Sequence, residues 1–303
     1  MTQYKGRFAP SPTGPLHFGS LIAAIASYLE AIINDGDWII RLEDIDKPRE
    51  VAGATASILQ ILEAFGFEWK GEILFQSHRL DAYQTALDTL KIRNLIYPCC
   101  CSRKEVADSA TSEGLEGLIY PGTCRNGLSK PNIFKSSDHL AYRVKVPQTA
   151  IEFSDAIQGK ITQNLATDIG DFILKRADGL FAYQLAVVVD DAMQGITHVV
   201  RGADLLGSTP RQIYLQQLLG LTTTHYAHVP IASNVRGEKV SKQTLAQALV
   251  TKNTNQQLWR ALTFLGQSPP QVLQHEPTDV VWGWAKAHWA LCKVPKQRAI
   301  IVN

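Results

Sequence analysis

The 303-residue sequence predicts an α/β fold: a Rossmann-like, doubly wound parallel sheet with an inserted α+β subdomain and a C-terminal helical segment. Three observations predict it. The chain opens in the order strand, Pro/Gly-rich loop, helix and strand, which is the order of a nucleotide-binding unit. The apolar run Leu185–Val189 is typical of a strand covered on both faces. Between these segments lies a cysteine-containing, β-rich stretch of different composition.

The N-terminal unit is predicted from local patterns. A short strand at Gly6–Ala9 ends at Pro10–Pro15, a segment too rich in proline and glycine for regular structure. A helix is expected from about Ser20, and Asn34–Asp37 ends it before a second strand at Trp38–Leu42. Its apolar stripe comprises Leu21, Ile22, Ile25, Ala26 and Leu29. Further helices are expected at about 50–65 and 79–94.

The predicted domain organisation has four parts. Residues 1–97 form the first half of the catalytic domain, 98–185 the inserted subdomain, 186–235 the second half, and 236–303 a loop followed by helices. Ala141–Val146 is predicted as a strand in the insertion, Pro210–Leu219 as a helix, and His228–Ile231 as a strand of the second half. Helical patterns follow at Leu245–Leu249, Gln256–Leu265 and Val280–Leu291.

Charge is distributed unevenly along an ordinary globular composition, which is 45% hydrophobic and 19% charged with a net charge of +2. Residues 236–303 carry nine basic and three acidic side chains, whereas residues 1–97 are slightly acidic. A localised basic surface suits a polyanion such as RNA. The alternative is a solvated basic tail, and charge alone does not separate the two.

A cytoplasmic, membrane-free protein is expected. Residues 1–5 do not resemble a signal peptide, and no apolar stretch approaches the ~20 residues of a membrane span. The longest candidate, Leu21–Ile33, contains Glu30 and is typical of a buried helix. The five cysteines should then stay reduced, and their odd number also argues against a disulfide framework. Nothing in the sequence requires a dimer, so a monomer is expected.

Two motifs are candidates for a phosphate site. Gly19 and Ser20 begin the first helix, whose free N–H groups and positive dipole end favour an anion, and His17 can donate to a phosphate oxygen. Far downstream, Lys239 and Lys242 lie three positions apart in a glycine-led loop and can place two cations against a pyrophosphate. Taken singly, each motif also fits a plain surface turn.

Charged side chains near the ends of predicted strands indicate a second ligand group. Carboxylates in Arg41–Asp46, such as Glu43, can hold an amino group or Mg²⁺, although an acidic capping turn is the alternative for Asp46. Arg7 and Arg201 would together suit a dicarboxylate, because guanidinium binds carboxylate in bidentate fashion. Two internal salt bridges are the alternative for these arginines.

Clustered cysteines indicate a structural zinc site in the insertion. Cys99, Cys101 and Cys124 provide three thiolates, and structural Zn²⁺ requires four ligands. Cys100, His139 or the Tyr120 phenolate can provide the fourth. Reduced surface thiols are the alternative, but exposed clustered thiols are prone to oxidation. Cys292 lies alone in a helical pattern and is predicted to be buried in the core.

The order of the motifs resembles the class I aminoacyl-tRNA synthetases from about residue 5 to residue 250. His17–Ser20 resembles the HIGH signature, with Ser20 in place of the last histidine. Lys239–Gln243 resembles KMSKS, from which Val240 and Gln243 depart. Four further segments are similar to the glutamyl/glutaminyl subgroup: Phe8–Gly14, Arg41–Asp46, Phe181–Ala186 and Val200–Asp204.

Two features narrow the resemblance to the glutamyl-Q tRNA(Asp) synthetase family. Only 60 residues follow the second signature, where complete glutamyl and glutaminyl enzymes carry a long anticodon-binding domain. Cys99, Cys101, Tyr120 and Cys124 match the zinc pattern of that family, with Cys100 as a spacer. The resemblance therefore implies one structural Zn²⁺ per chain on these four ligands.

The resemblance also implies an activity. An ATP-dependent ligase would activate L-glutamate as an adenylate, with Mg²⁺ bound to ATP, and esterify the queuosine base in the anticodon loop of tRNA(Asp). It implies catalytic roles for His17, Lys239 and Lys242, and an ATP site at His17, Gly19, Ser20 and Lys242. Glutamate would be bound by Arg7, Ser11, Glu43, Tyr183 and Arg201. The alternatives are charging of the terminal ribose of tRNA(Glu) and a non-catalytic tRNA-binding paralogue.

Overall fold

The computed structural model describes residues 3–114, 117–130, 140–234 and 248–302. Its first unit alternates strands and helices: β1 (Lys5–Phe8), α1 (Phe18–Ile33), β2 (Asp37–Leu42), α2 (Ala54–Ala64) and β3 (Leu74–Phe75). The strands are parallel, with Arg7 opposite Ile39 and Leu42 opposite Phe75. The predicted strand–loop–helix–strand opening is therefore confirmed, and the apolar stripe of α1 is buried in the core.

The second unit adds a further set of strands beside the first. It contains α6 (Tyr183–Met193), β11 (His198–Gly202), α7 (Thr209–Leu219) and β12 (His225–Val229), and β11 runs parallel to β12 with Arg201 opposite His228. The Thr197 amide donates to the Lys5 carbonyl at 3.0 Å, which brings β11 beside β1. At this junction the edge strand of the set β3, β2, β1 lies beside the edge strand of the set that begins with β11 and β12. Such a junction between the two halves is where open α/β sheets bind ligands.

One predicted strand is a helix. Leu185–Val189 lies within α6 rather than in the sheet, and four consecutive residues from Leu185 to Val188 are buried. A helix packed on several sides needs apolar residues all around, so its sequence shows the same continuous run as a fully covered strand. The parallel sheet predicted from this run exists, but β11 and β12 provide its second half.

The segment between the two units forms a smaller α+β layer. Helix α3 (Leu80–Ile92) leads into a three-stranded antiparallel sheet of β4 (Ile96–Cys99), β7 (Ala141–Val144) and β10 (Ile173–Lys175). The remaining elements are α4 (Arg103–Ser109), β5 (Glu113–Gly114), β6 (Gly117–Leu118), β8 (Ala150–Asp155), β9 (Gly159–Asn164) and α5 (Leu165–Asp168). Strands β8 and β9 form a hairpin, and β8 joins β12 through the pair Asp155 and Tyr226.

The C-terminal helices pack on the first unit. After β13 (Ile231–Ser233) come α8 (Thr254–Phe264), α9 (Thr278–His288) and β14 (Ala299–Ile301), and β14 pairs in parallel with β13. Phe18 packs edge-on against Phe264, with ring centroids 5.8 Å apart. The Trp289 indole donates to the Glu30 carboxylate at 2.6 Å. Helices α1, α8 and α9 therefore share one hydrophobic core.

Two C-terminal expectations need correction. Ala248 and Leu249 are not helical: Ala248 forms an isolated bridge with His17, and the rest of the predicted helix at 245–249 lies outside the described residues. Cys292 is exposed, not buried, because it lies in a short 3₁₀ turn after α9 rather than on a helix face. Among the described helices, none combines the length and apolar composition that a membrane crossing requires.

Candidate active site

Helix α1 begins beyond the carboxyl end of β1, and the side chain of His17 caps its N-terminus. The Ser20 amide donates to His17 Nδ1 at 3.3 Å, which places the proton of the neutral ring on Nε2. No acidic residue lies in the first turn of this 16-residue helix, so its positive end remains available to an anion. Gly19 and Ser20 are half-buried in that turn. The structure thus assembles the predicted helix N-terminus with His17, Gly19 and Ser20.

The predicted lysines of the second signature, Lys239 and Lys242, lie outside the described residues. The described chain resumes beside the helix cap: Ala248 bridges His17, and the Leu249 amide donates to the Leu16 carbonyl at 2.9 Å. Lys242 stands six positions before Ala248 in the sequence.

A buried ion network surrounds Asp191 in α6. Its Oδ1 accepts from Arg7 Nε at 3.2 Å and from Arg41 Nη1 at 2.7 Å. Arg41 is fully buried, and its Nη2 donates to Glu43 Oε1 at 3.3 Å. Among the described residues, only Nε of Arg7 has a hydrogen-bond partner, so its terminal nitrogens are available to a ligand. Strands β1 and β2 and helix α6 thus converge on one charged cluster.

Arg201 lies opposite, on β11, and all three of its nitrogens are bonded. Nε donates to His228 Nε2 at 3.1 Å, Nη1 to the Tyr183 hydroxyl at 3.2 Å, and Nη2 to Thr209 Oγ1 at 2.9 Å and Gln212 Oε1 at 2.8 Å. A longer contact of Nη2 reaches the Leu205 carbonyl at 3.4 Å. Within the described part of the chain, every hydrogen-bond partner of Arg201 is neutral, in contrast to the carboxylate that faces Arg7.

Burial and charge shift the acidity of these groups in different directions. Burial raises the pKa of Glu43, although Arg41 and Arg7 oppose the shift. Burial also raises the pKa of Tyr183, so its hydroxyl keeps its proton. Burial would raise the pKa of Asp191 as well, but Arg7 and Arg41 outweigh it and hold the pKa below the ordinary value. The charges of Arg201, Glu43, Arg7 and Asp191 all influence the pKa of Tyr183, so these four side chains lie near its hydroxyl.

Ser11 is exposed in the loop that follows β1. The Glu43 amide donates to the carbonyl of the preceding residue, Pro10, at 3.0 Å. The loop therefore runs beside the carboxyl end of β2, next to Glu43. No side-chain contact of Ser11 is among the described hydrogen bonds.

Several charged residues of this site were not predicted as site residues from the sequence. Arg41 lies in the Arg41–Asp46 segment, where only the carboxylates suggest a ligand, and Asp191 follows the apolar run Leu185–Val189 without a local signal of its own. A charge inside an apolar strand pattern, such as Arg41 in β2, was a signal because unpaired buried charge is costly. The partnership of His228 with Asp155 and Arg201 had no local signal, since it joins separate strands.

The cysteine cluster is assembled as the spacing predicts. The sulfurs of Cys99, Cys101 and Cys124 lie within 4.8 Å of one another. The Tyr120 hydroxyl lies 3.4 Å from Cys99 Sγ and 3.5 Å from Cys101 Sγ. Cys100 contacts Cys124 Sγ at 3.7 Å and the Ser129 hydroxyl at 3.4 Å.

Acidity in the cluster favours one thiolate. Burial would raise the pKa of Cys124, but hydrogen bonds, first from the Ser129 hydroxyl, lower it to about 6. Burial raises the pKa of Cys101 to about 11. His139, another candidate ligand, lies outside the described residues.

Comparison with known proteins assigns this architecture to a family. The family model of class I tRNA synthetases (E and Q), catalytic domain, matches residues 3–268. The chain is 56% identical over 300 residues to a glutamyl-Q tRNA(Asp) synthetase of Dechloromonas aromatica (strain RCB), covering 99% of this chain and 98% of the relative. A protein of the same name from Thiobacillus denitrificans (strain ATCC 25259 / T1) is 53% identical, covering 96% and 94%.

The fold has solved counterparts. The crystal structure of glutamate-tRNA synthetase from Elizabethkingia anophelis superposes with a TM-score of 0.79 at 25% identity, covering 98% of this chain and 67% of that one. The predicted α/β fold of the class I synthetases is therefore confirmed. On the matching family model and these relatives, the chain belongs to the glutamyl-Q tRNA(Asp) synthetase family of ligases and carries a class I tRNA synthetase catalytic domain.

Proposed function

We propose that the chain activates L-glutamate with ATP as glutamyl-adenylate and transfers the glutamate to the queuosine base in the anticodon loop of tRNA(Asp). The observation that supports it most is the pair of buried arginines, Arg7 and Arg201, on neighbouring strands. Both arginines and Glu43 influence the pKa of Tyr183, so the four side chains lie close together. Arg7 and Arg201 suit the two carboxylates of glutamate and Glu43 suits its ammonium, while Arg41 and Asp191 pair with each other inside the cluster.

Each ligand group has a candidate partner. Arg7 offers its terminal nitrogens to a carboxylate. Tyr183 accepts from Arg201 Nη1, so its hydroxyl proton is available to a ligand oxygen. Glu43 suits the α-ammonium, and Ser11, on the adjoining loop, suits the same end of the ligand. Arg41 offsets only part of the negative charge of Glu43, so the Glu43 carboxylate can still attract the ammonium of the ligand.

ATP would lie against the N-terminus of α1. Gly19 would offer its backbone N–H and Ser20 its hydroxyl, since the Ser20 amide already donates to His17 Nδ1, and the Nε2 proton of His17 can donate to a phosphate oxygen. The glutamate carboxylate attacks the α-phosphorus, the bond to pyrophosphate breaks, and charge builds on phosphate oxygens. His17, Lys239 and Lys242 would stabilise that charge, together with the Mg²⁺ that class I synthetases use with ATP. Catalysis in this proposal is positioning and electrostatics, without a covalent enzyme intermediate.

In the second step a queuosine hydroxyl attacks the adenylate carbonyl and releases AMP. An anticodon-loop base is single-stranded and can be splayed into a pocket. Lys286, Lys293 and Lys296 are exposed on the C-terminal region and are candidate phosphate contacts. Neutralising all three should weaken tRNA binding. The slope of the logarithm of the binding constant against the logarithm of the salt concentration should become shallower by about one for each lost contact. Lys47, Lys70 and Lys160, also exposed, form the control triple, and equal effects of the two triples would refute this surface.

We further propose a structural Zn²⁺ on Cys99, Cys101, Cys124 and Tyr120. Tetrahedral zinc with Zn–S bonds of about 2.3 Å separates two sulfurs by about 3.8 Å and a sulfur from an oxygen by about 3.5 Å. The sulfurs of Cys101 and Cys124 are 3.6 Å apart, and Tyr120 Oη is 3.4 and 3.5 Å from two sulfurs. The donor set therefore fits the ion, which would cross-link β4 to the following loops.

Metal analysis tests the zinc proposal. The purified chain should contain one zinc per molecule, and Cys101→Ser should lose it, whereas Cys292→Ser, at an exposed cysteine outside the cluster, should retain it. Tyr120→Phe removes the phenolic ligand and should weaken zinc retention against a chelator. Full retention in Tyr120→Phe would instead make Cys100 or His139 the fourth ligand.

Two assays test the activity. Glutamate-dependent ATP–pyrophosphate exchange without tRNA tests adenylate formation, and its absence would favour a non-catalytic tRNA-binding paralogue. Transfer of labelled glutamate to tRNA(Asp) with and without queuosine, and to tRNA(Glu), tests the acceptor. Charging of unmodified tRNA(Glu) would instead indicate esterification of the terminal ribose.

A matched pair of variants tests the glutamate site. Arg201→Ala should raise the glutamate KM strongly or abolish exchange, because it removes a buried guanidinium from the site. Arg103→Ala, at an exposed position of α4, should leave exchange unchanged. An unchanged exchange rate in Arg201→Ala would refute the assigned role.

A further inference from the structure

A buried chain of hydrogen bonds lies behind Arg201, on the side away from Tyr183. Arg201 Nε donates to His228 Nε2 at 3.1 Å, and His228 Nδ1 lies 2.6 Å from Asp155 Oδ2. The side chains of His228 and Asp155 are completely buried. The chain joins β11, β12 and the end of β8, and neither His228 nor Asp155 has a role in the reaction described above.

The chain fixes the tautomer of His228. Asp155 is a carboxylate, so His228 Nδ1 must carry the proton and donate it, which leaves Nε2 as an acceptor for Arg201. Asp155 itself is held in place, because its Oδ1 accepts from the amides of Ile157, Gln158 and His228 at 2.8–3.1 Å. The acceptor that faces Arg201 is therefore anchored to three backbone groups.

The charge environments of the two arginines differ. Arg7 faces the carboxylate of Asp191, which offsets its charge, whereas the described partners of Arg201 are all neutral. A carboxylate in the place of His228 Nε2 would orient Arg201 equally well but neutralise it. A neutral imidazole orients the guanidinium and leaves its charge for the ligand.

We propose that His228 and Asp155 are positioning residues that fix the Arg201 guanidinium and preserve its charge for a carboxylate of the substrate, an inference that rests on the proposed glutamate site. His228 acts on Arg201 directly, and Asp155 acts on it through the tautomer of His228. Their removal should therefore weaken glutamate binding selectively and leave the binding of ATP largely intact.

Two substitutions of His228 separate orientation from simple packing. In His228→Gln the side-chain oxygen takes the position of Nε2 and can still accept from Arg201. In His228→Asn the amide takes the position of Nδ1, keeps its partner Asp155 and withdraws the acceptor from Arg201. We expect the glutamate KM in pyrophosphate exchange to rise about tenfold in His228→Asn and less than about threefold in His228→Gln. The ATP KM should change less than about twofold in both.

Asp155→Asn tests the tautomer. The new amide would donate to His228 Nδ1, so the proton would move to Nε2 and oppose the Nε–H of Arg201. Nitrogen-15 NMR at neutral pH should show His228 protonated on Nδ1 in the wild type and on Nε2 in Asp155→Asn, with a raised glutamate KM. Asp178→Asn, at an exposed position, is the control.

Three results would overturn the inference. One is a wild-type glutamate KM in His228→Asn. Another is a parallel rise of the glutamate and ATP KM values in both His228 variants with equal losses of thermal stability, which would make His228 structural only. The third is a wild-type His228 protonated on Nε2. Calorimetric titration with glutamate separates the hypotheses: a wild type that neither exchanges nor binds glutamate would refute the proposed function as well, whereas an active wild type with unaffected variants would refute the positioning role alone.

Discussion

Replacing Asp191 with asparagine removes the one negative charge that Arg7 and Arg41 share. The substitution keeps the size of the side chain and an oxygen acceptor, so the change is almost purely electrostatic. Asp191 Oδ1 lies 3.2 Å from Arg7 Nε and 2.7 Å from Arg41 Nη1, and all three side chains are nearly inaccessible to solvent. After the substitution Arg7 loses the carboxylate that it contacts, and Arg41 keeps its contact with Glu43 and the nearby charge of Asp190.

The expected cost follows from the burial of the pair. Removing one partner of a buried ion pair destabilises a protein by about 3–5 kcal/mol, because the remaining charge is left uncompensated. Glu43 still contacts Arg41 at 3.3 Å, so we expect a loss of about 3 kcal/mol. The pKa of Asp191 is lowered by the arginines, so its contribution is complete at neutral pH and is lost only as the pH falls through the folded-state pKa.

Urea unfolding at pH 7, followed by the fluorescence of the six tryptophans, measures this loss. Asp178→Asn removes an ion pair whose partners are 39% and 49% exposed, and it should cost less than about 1 kcal/mol. The glutamate KM of Asp191→Asn should also rise, because Arg7 loses the group that orients it. A difference of less than 1 kcal/mol between Asp191→Asn and the wild type would refute the assigned role of this network.

Three further predictions concern stability. Burial lowers the pKa of His228 from 6.5 to about 4. The free energy of unfolding of the wild type should therefore fall by up to about 3 kcal/mol as the pH falls from 6.5 to 4. Urea unfolding of His228→Gln should lack this pH dependence, and an equal pH dependence in both proteins would contradict the prediction. Phe67→Ala removes the ring between Trp38 and Trp282, whose centroids lie 5.5 and 5.1 Å from it. The free energy of unfolding in the same assay should fall by about 3–5 kcal/mol. A loss of less than about 1 kcal/mol would mean that the aromatic cluster rearranges freely. A Cβ at Gly36 would lie 2.4 Å from the Tyr4 carbonyl oxygen, so Gly36→Ala should lower the melting temperature. Gly283→Ala, in open space on α9, should raise it. Equal changes of the melting temperature in the two variants would disprove the clash.

Local patterns were sufficient for the opening unit. The apolar stripe from Leu21 to Leu29 repeats at helical spacing, and glycine and proline residues punctuate its boundaries, so β1, α1 and β2 form where the sequence predicts them. The Leu185–Val189 run was misassigned because a helix buried between the sheet and other helices is apolar on several faces. Its four consecutive buried residues satisfy either secondary structure, and only the tertiary environment selects the helix.

The site was only partly predictable. The residue types of Arg7, Glu43 and Arg201 indicated a ligand with carboxylates, but their partners are far away in the sequence: Asp191 lies 184 positions after Arg7. Such pairs depend on which strands become neighbours, and no local pattern encodes that. For the cysteines the opposite holds, because Cys99 and Cys101 are two positions apart and the turn-rich loop returns Cys124 to them.

Helix α1 connects two regions that the sequence separates by more than two hundred residues. Its first turn carries the His17 cap and Phe18, which packs on α8, while Tyr28 and Glu30 near its other end contact Trp282 and Trp289. A nucleotide that stabilises the first turn therefore stabilises the helix against which α9 packs. Amide hydrogen exchange in α9 should slow when ATP binds, because local opening of α9 would expose the same helix.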